Sequence, residues 1–353
     1  MKTVLRDADV VVVGGDAIGL FLALRAAQRF MQVVLVGRSE VLDDDVLLLS
    51  TETRRIFGAA GLDEALRSIT EVTTWGVRHS ALMSMLEDAA SDAGVRMMSD
   101  TCVPAFDIAD DGESVVVALG DPAGATRSCA TRWLVGADVA VRHQLDVDVD
   151  EIGGVSIAGQ FRAGPVFLAG RGACVGSLNA SDVLARGFGD ADNLAWRLQA
   201  VHQGHACDRL LDAYDAERRP SARSAAVSSD DSALPGVGQL VGSHSLIGHP
   251  LVPVVIEGRQ LESRLSQGWA ILTSDIGLIP HDLLARWIGI GTRIVMLGKS
   301  LGEVVGAPRE GMVIVRPDGV VAAVALDSDA FGDVSEQLLG WYADGEPVGT
   351  APG

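Results

Sequence analysis

At 353 residues, with 48% hydrophobic residues and a formal net charge of −19, the chain is long enough for two domains with separate cores and too acidic to favour nucleic acid or an anionic membrane as a partner. No apolar run reaches the roughly 18 residues of a membrane-spanning helix, and the charged N-terminal stretch lacks a leader pattern, so a cytoplasmic protein is expected. The four cysteines, Cys102, Cys129, Cys174 and Cys207, show no C-x-x-C spacing, so no dithiol redox motif is present and no disulfide is required.

In chain order, a β-branched run at 9–13, helical apolar spacing at 17–30 and a second apolar run at 32–36 predict a βαβ unit. Its first turn, "VVVVGGDAIGL" over 10–20, has the glycine spacing of a dinucleotide-binding loop at Gly14 and Gly19 but carries Asp16 between them. Helices are expected at 51–60 and 80–93, then strands at 96–98, 114–119 and 132–135 as a meander, with a turn at 120–126. A fully apolar strand at 165–169 precedes helices at 190–202 and 207–227, and the Ser-, Gly- and Pro-rich stretch 228–248 reads as a linker. Beyond it, strands at 269–273, 293–297, 312–315 and 320–325 with helices at 282–287 and 334–342 predict a second, smaller α/β domain. The expected domains are 1–235 and 250–353.

Two metal-like patterns fail on their own chemistry. His202, His205 and Cys207 lack a fourth ligand for a tetrahedral site, and the alternating Asp146, Asp148 and Asp150 meet Glu151 where a calcium loop needs glycine. No metal is expected.

Three stretches, "DADVVVVGGDAIGLFLALRAAQRFMQVVLVGR", "GPVFLAGRGACVGSLNASDVLARGFGDADNLAWRLQAV" with "LLDAYDAERRPSARSA", and "GMVIVRPDGVVAAVA", occur in the order found in one family. Together the sequence resembles the class A flavoprotein aromatic hydroxylases, the p-hydroxybenzoate hydroxylase type that includes polyketide-tailoring FAD monooxygenases. The resemblance implies an FAD-binding Rossmann-like domain and a C-terminal thioredoxin-like α/β domain, with a possible homodimer through the latter. The substrate sheet is expected to be shortened, because 62–79 and 142–161 leave little room for it.

The same alignment implies a dismantled cofactor site. Asp16 stands where a glycine would admit the pyrophosphate, Gly37 where a glutamate would hold the adenosine ribose, Asp45 where an arginine would cover the phosphates, and Arg171 where an aspartate would face the ribitol. Residues Ala180, Ser181, Asp182 and Val183 replace a glycine-rich stretch facing the flavin, while Gly14, Gly19, Asp138 and Gly170 survive as remnants. At 4 Å, two unit charges repel by about 4 kcal/mol at an effective dielectric of 20, so a carboxylate in the phosphate seat opposes the cofactor directly.

The leading expectation is therefore a protein without cofactor. It would be a tailoring enzyme using the vacated crevice for a non-redox cyclisation, cycloaddition or rearrangement of a small polyketide-type substrate, with Asp16, Asp45, His79 and Arg171 as its candidate polar groups. One alternative is an FAD-dependent monooxygenase with weakened binding. Another is a non-catalytic partner or ligand-binding protein. Asp16 and Arg171 are expected to form a salt bridge across the former pyrophosphate site, so that removing Asp16 alone would cost several kcal/mol.

Overall fold

The computed structural model describes residues 4–38, 45–71, 74–176, 180–227, 240–251, 255–256, 259–260, 268–298 and 311–342. Contacts divide the chain into two compact units, one of 1–57, 62–195 and 218–230, the other of 58–61, 196–217 and 231–353. Residues 196–217, expected in the first domain, thus belong to the second unit.

The first unit opens with β1 (Val4–Val13), α1 (Ala17–Ala27) and β2 (Val33–Val36), the βαβ unit expected from the apolar runs. There follow β3 (Val46–Leu48), α2 (Thr51–Ala59), α3 (Asp63–Ile69), β4 (Gly76–Arg78), α4 (His79–Asp92) and β5 (Arg96–Met98). Strands β6 (Cys102–Ile108), β7 (Val115–Gly120) and β8 (Thr126–Gly136) form the meander; β5 lies outside it, in parallel with β2. Next come α5 (Val139–Leu145), β9 (Val149–Ile152), β10 (Val155–Ala158), β11 (Arg162–Ala163), β12 (Val166–Leu168) and β13 (Cys174–Gly176). Helix α6 (Ala180–His202) begins ten residues before its expected start, and α7 (Asp212–Val227) contains Pro220.

The main sheet orders its strands β11-β12-β8-β1-β2-β5, with β1 parallel to both β2 and β8 and β12 parallel to β8. The strand order reverses at β1, which puts the Gly14–Gly15–Asp16 turn at the switch point where doubly wound sheets take ligands. Val10, Val11, Val12, Leu134, Val135, Val166 and Phe167 are buried, so the parallel strands are apolar on both faces. Phe21 of α1 stacks on Phe57 of α2 with centroids 5.0 Å apart, and Phe188 of α6 meets both rings edge-on, locking three helices together. Among the described residues, the strands of the stretches expected to be too short for a substrate sheet are β4, which pairs with β3, and β9 and β10, which join β13 in a three-stranded sheet. The acidic "DVDVDEI" run is β9, which pairs antiparallel with β10.

The second unit has a short β14 (Val255–Ile256) and β15 (Arg259–Gln260) pair, then β16 (Ala270–Thr273), α8 (His281–Gly289), β17 (Arg293–Met296), β18 (Met312–Val315), β19 (Val321–Ala325) and α9 (Ser328–Leu339). Its four-stranded sheet runs β17-β16-β18-β19, with β16 parallel to β17 and antiparallel to β18, the thioredoxin-like order. The expected turn between the last two strands is present, with Gly319 at φ +78° and its N–H donating to the Arg316 carbonyl at 2.9 Å. Of the expected linker, 228–239 lies outside the described residues. The rest is not free chain: Val241 bridges Ala323, and the Gly248 N–H donates to the Val321 carbonyl at 3.0 Å. No helix among the described residues is long and apolar enough to cross a membrane.

Candidate functional site

The surviving glycines of the first turn are fixed by backbone packing. A Cβ on Gly15 would stand 2.4 Å from the Gly37 carbonyl oxygen, and one on Gly19 would stand 1.8 Å from that of Gly14. Gly14 itself has φ +122° and lies against the Asp138 backbone. Ile18 then carries the first turn of α1 into its neighbours, because Cβ atoms on Gly170 and Gly187 would come within 2.8 and 2.2 Å of its side chain. The switch point is thus a tight junction of β1, β2, the β8–α5 turn, the β12–β13 turn and α6.

Asp16 is the N-cap of α1. Its Oδ1 accepts from the Ile18 and Gly19 N–H groups at 3.1 and 2.9 Å, satisfying two of the four donors that a helix N-terminus offers to an anion. Burial pushes its pKa up; the Gly19 hydrogen bond and the Arg171 charge oppose that rise, and Asp138 adds to it. Asp138 caps α5 in the same manner, accepting from the Ala140 N–H at 2.8 Å, and is likewise raised by burial against the pull of Arg171.

The expected Asp16–Arg171 salt bridge is absent. Arg171 is exposed, makes no ion pair or hydrogen bond among the described residues, and acts on both aspartates only through its charge. The reason is local: helix N-termini already hold both carboxylates, leaving the guanidinium free to stay hydrated. Asp16→Ala should therefore cost about 0.5–2 kcal/mol, the usual loss of a side-chain cap, instead of several. Asp16→Asn should be neutral or stabilising at pH 7, since it keeps the cap and removes a charge that burial penalises. Because the folded-state pKa is raised, the ionised carboxyl opposes folding, and its contribution worsens as pH rises from the ordinary aspartate range through the raised value. The Asn variant should lack that pH dependence in urea denaturation.

Asp45 and His79 are brought together, but by their backbones: the His79 N–H donates to the Asp45 carbonyl at 3.0 Å beside the β3–β4 pair. Asp45 is exposed and His79 half-buried at the start of α4, and neither side chain reaches Asp16 or Arg171. Ser181, in the segment that replaces the glycine-rich stretch, lies in the first turn of α6, and its Oγ accepts from the Leu48 N–H at 3.1 Å.

Deeper in the unit lies a set of charges that the sequence reading passed over. Asp190 accepts from Arg218 Nε at 2.6 Å and from the Gly170 N–H at 3.3 Å; Asp192 accepts from Arg25 Nε at 2.8 Å. Their signal was acidic residues inside the apolar period of "FGDADNLAW". Arg186 Nη1 contacts Cys174 Sγ at 3.6 Å, and burial raises that thiol, so it stays protonated and chemically quiet. Among the described residues no cluster could hold a metal ion.

The residues present do not fit FAD as the family alignment would seat it. Two of the N–H groups at the α1 N-terminus, where a dinucleotide places its pyrophosphate, hold the Asp16 carboxylate, and Gly37, at φ +101° against Gly14 and Gly15, offers no carboxylate to a ribose.

The fold is that of the class A flavoprotein aromatic hydroxylases, and the resemblance read from the sequence holds. Residues 154–229 match the family described as "FAD binding domain". A Streptomyces halstedii protein named as a polyketide hydroxylase is 32% identical over 230 residues, 47% of this chain and 41% of that protein. A 3-(3-hydroxy-phenyl)propionate/3-hydroxycinnamic acid hydroxylase of Mycobacterium sp. (strain JLS) is 48% identical over 68 residues, 19% of this chain and 12% of that one. The chain thus spans less than half the length of these curated relatives. Among solved structures, OxyS anhydrotetracycline hydroxylase from Streptomyces rimosus superposes with a TM-score of 0.78 at 20% identity, covering 95% of this chain and 100% of that one. Aklavinone-11 hydroxylase, in a ternary complex with FAD and aklavinone, gives 0.78 at 18% identity, covering 95% and 99%.

Proposed function

We propose that the chain is a tailoring enzyme on a flavoprotein-hydroxylase scaffold that works without flavin, on a small polyketide-type substrate held in the crevice at the β1 switch point. The observation that carries this is the Asp16 carboxylate on the Ile18 and Gly19 N–H groups, which puts the protein's own anion where a dinucleotide would place its pyrophosphate. The substrate class comes from the relatives, one named a polyketide hydroxylase and others for hydroxylation of anhydrotetracycline and aklavinone. With no redox group in play, the fitting chemistry is cyclisation, cycloaddition or rearrangement, accelerated by holding one chain in a reactive conformation and by a few placed donors.

A second reading, an FAD-dependent hydroxylase with weakened affinity, is favoured by the match of 154–229 to the FAD binding domain family. Product mass separates the two. Incubated with polyketide intermediates, the protein should yield isomers or dehydration products without consuming NADH or NADPH. A product one oxygen atom heavier, with nicotinamide consumed, would overturn the proposal.

A further inference from the structure

Arg142 of α5 is 8% exposed, and among the described residues its guanidinium makes no hydrogen bond or ion pair; Nε and Nη1 are enclosed. A buried guanidinium without an acceptor is costly, and an anion arriving from outside would relieve that cost. Its surroundings select for such a guest. Arg142 and Arg186 both act on the Cys174 side chain, and Arg186 touches its sulfur. The neighbouring Asp190 is already engaged by Arg218 and the Gly170 N–H, while Asp16 and Asp138 are engaged by their helix N-termini. Arg142, Arg186 and Asp190 all act on Cys174, Asp190 is paired by Arg218, and among the described residues neither Arg142 nor Arg186 pairs with a carboxylate.

We propose that Arg142, with Arg186 as a second cation at the same cysteine, binds a carboxylate of the substrate. The fork of guanidinium donors matches a planar carboxylate, so the contact would fix orientation as well as supply affinity. This assignment deepens the reading above, since it gives the crevice an acidic substrate in place of FAD. Cys174 would serve as an uncharged wall of the site: its burial keeps it from becoming a competing anion.

The test is calorimetric titration of the full chain with 2-naphthoate, with its neutral amide and with inorganic pyrophosphate. The acid should bind about tenfold more tightly than the amide. Arg142→Gln should abolish that preference, Arg186→Gln should reduce it, and Arg127→Gln, at an exposed position on β8, should leave it intact. Equal binding of acid and amide, or a preference that survives Arg142→Gln, overturns the proposal. Pyrophosphate binding more tightly than the acid, and lost in Arg142→Gln, overturns it in favour of a phosphate site. If Arg142→Gln does not fold, the wild-type comparison and Arg186→Gln decide. Flavin content of the same samples separates the two readings: flavin-free protein without acid preference removes this site alone, and flavin-bearing protein with an Arg142-dependent preference removes the cofactor-free reading alone.

Discussion

Glu217→Gln is expected to destabilise the second unit by about 3–5 kcal/mol, the cost of leaving buried charge uncompensated. Glu217 is fully enclosed; its two oxygens accept from Arg316 Nη1 at 2.8 and 2.9 Å, and Oε1 pairs with Arg197 Nη2 at 2.8 Å. Arg316 also pairs with Asp318, which accepts from Trp196 Nε1 at 3.2 Å, and the Arg197 guanidinium lies 4.4 Å from the centroid of the Trp196 ring. Two guanidiniums and two carboxylates balance, so the glutamine variant leaves one buried positive charge over. Burial alone would raise the Glu217 carboxyl, but Arg197 and Arg316 overcome it and hold the pKa below the usual range. The depressed value means that this contribution is complete above the ordinary glutamate pKa of about 4.3 and is lost as pH falls through the folded-state value. Wild type and variant should therefore differ in urea denaturation at pH 7 and converge in acid. Adding Arg197→Met to the glutamine variant should recover part of the loss. A Glu217→Gln variant as stable as wild type at pH 7 would refute the balance.

Gly19→Ala should cost at least 3 kcal/mol, on the order of the upper range for overpacking, because its Cβ would lie 1.8 Å from the Gly14 carbonyl oxygen and neither backbone can yield without opening α1 from β1. If the glycines of this turn are required by the contacts between β1, β2 and α1, their persistence says nothing about a cofactor, and a glycine motif can outlive the ligand it once served. An alanine variant of ordinary thermal stability would show instead that the turn is roomy enough for a bound group.

Much of the scaffold was legible in the sequence because its signals are local. The run of valines at Val10–Val13 and the apolar period of α1 specify β1 and α1 with little help from the rest of the chain. Other features were hidden where tertiary contacts override local signals. Strand β6 was not expected, since only Val103 of its seven residues is buried and Pro104 interrupts it; it pairs on one side only, with β7. The first ten residues of α6 contain Gly187 and Gly189, which read as breakers, yet Gly187 is needed to clear Ile18. The site was half legible. Substitutions at Asp16, Gly37 and Arg171 could be read against the family pattern, but the partner of Asp16 could not, because nearby backbone N–H groups compete with a distant guanidinium for the same oxygen. The isolation of Arg142 was invisible, since a sequence does not show which charges go unanswered.

We propose that the Asp16 carboxylate cap stands in this scaffold where a dinucleotide would be bound. The measurement that tests it most directly is the absorbance of freshly purified, undenatured protein between about 350 and 500 nm, with the supernatant then assayed for flavin after denaturation. The account predicts a colourless protein, no flavin released, and no calorimetric signal on titration with FAD. A yellow protein releasing one equivalent of flavin would contradict it.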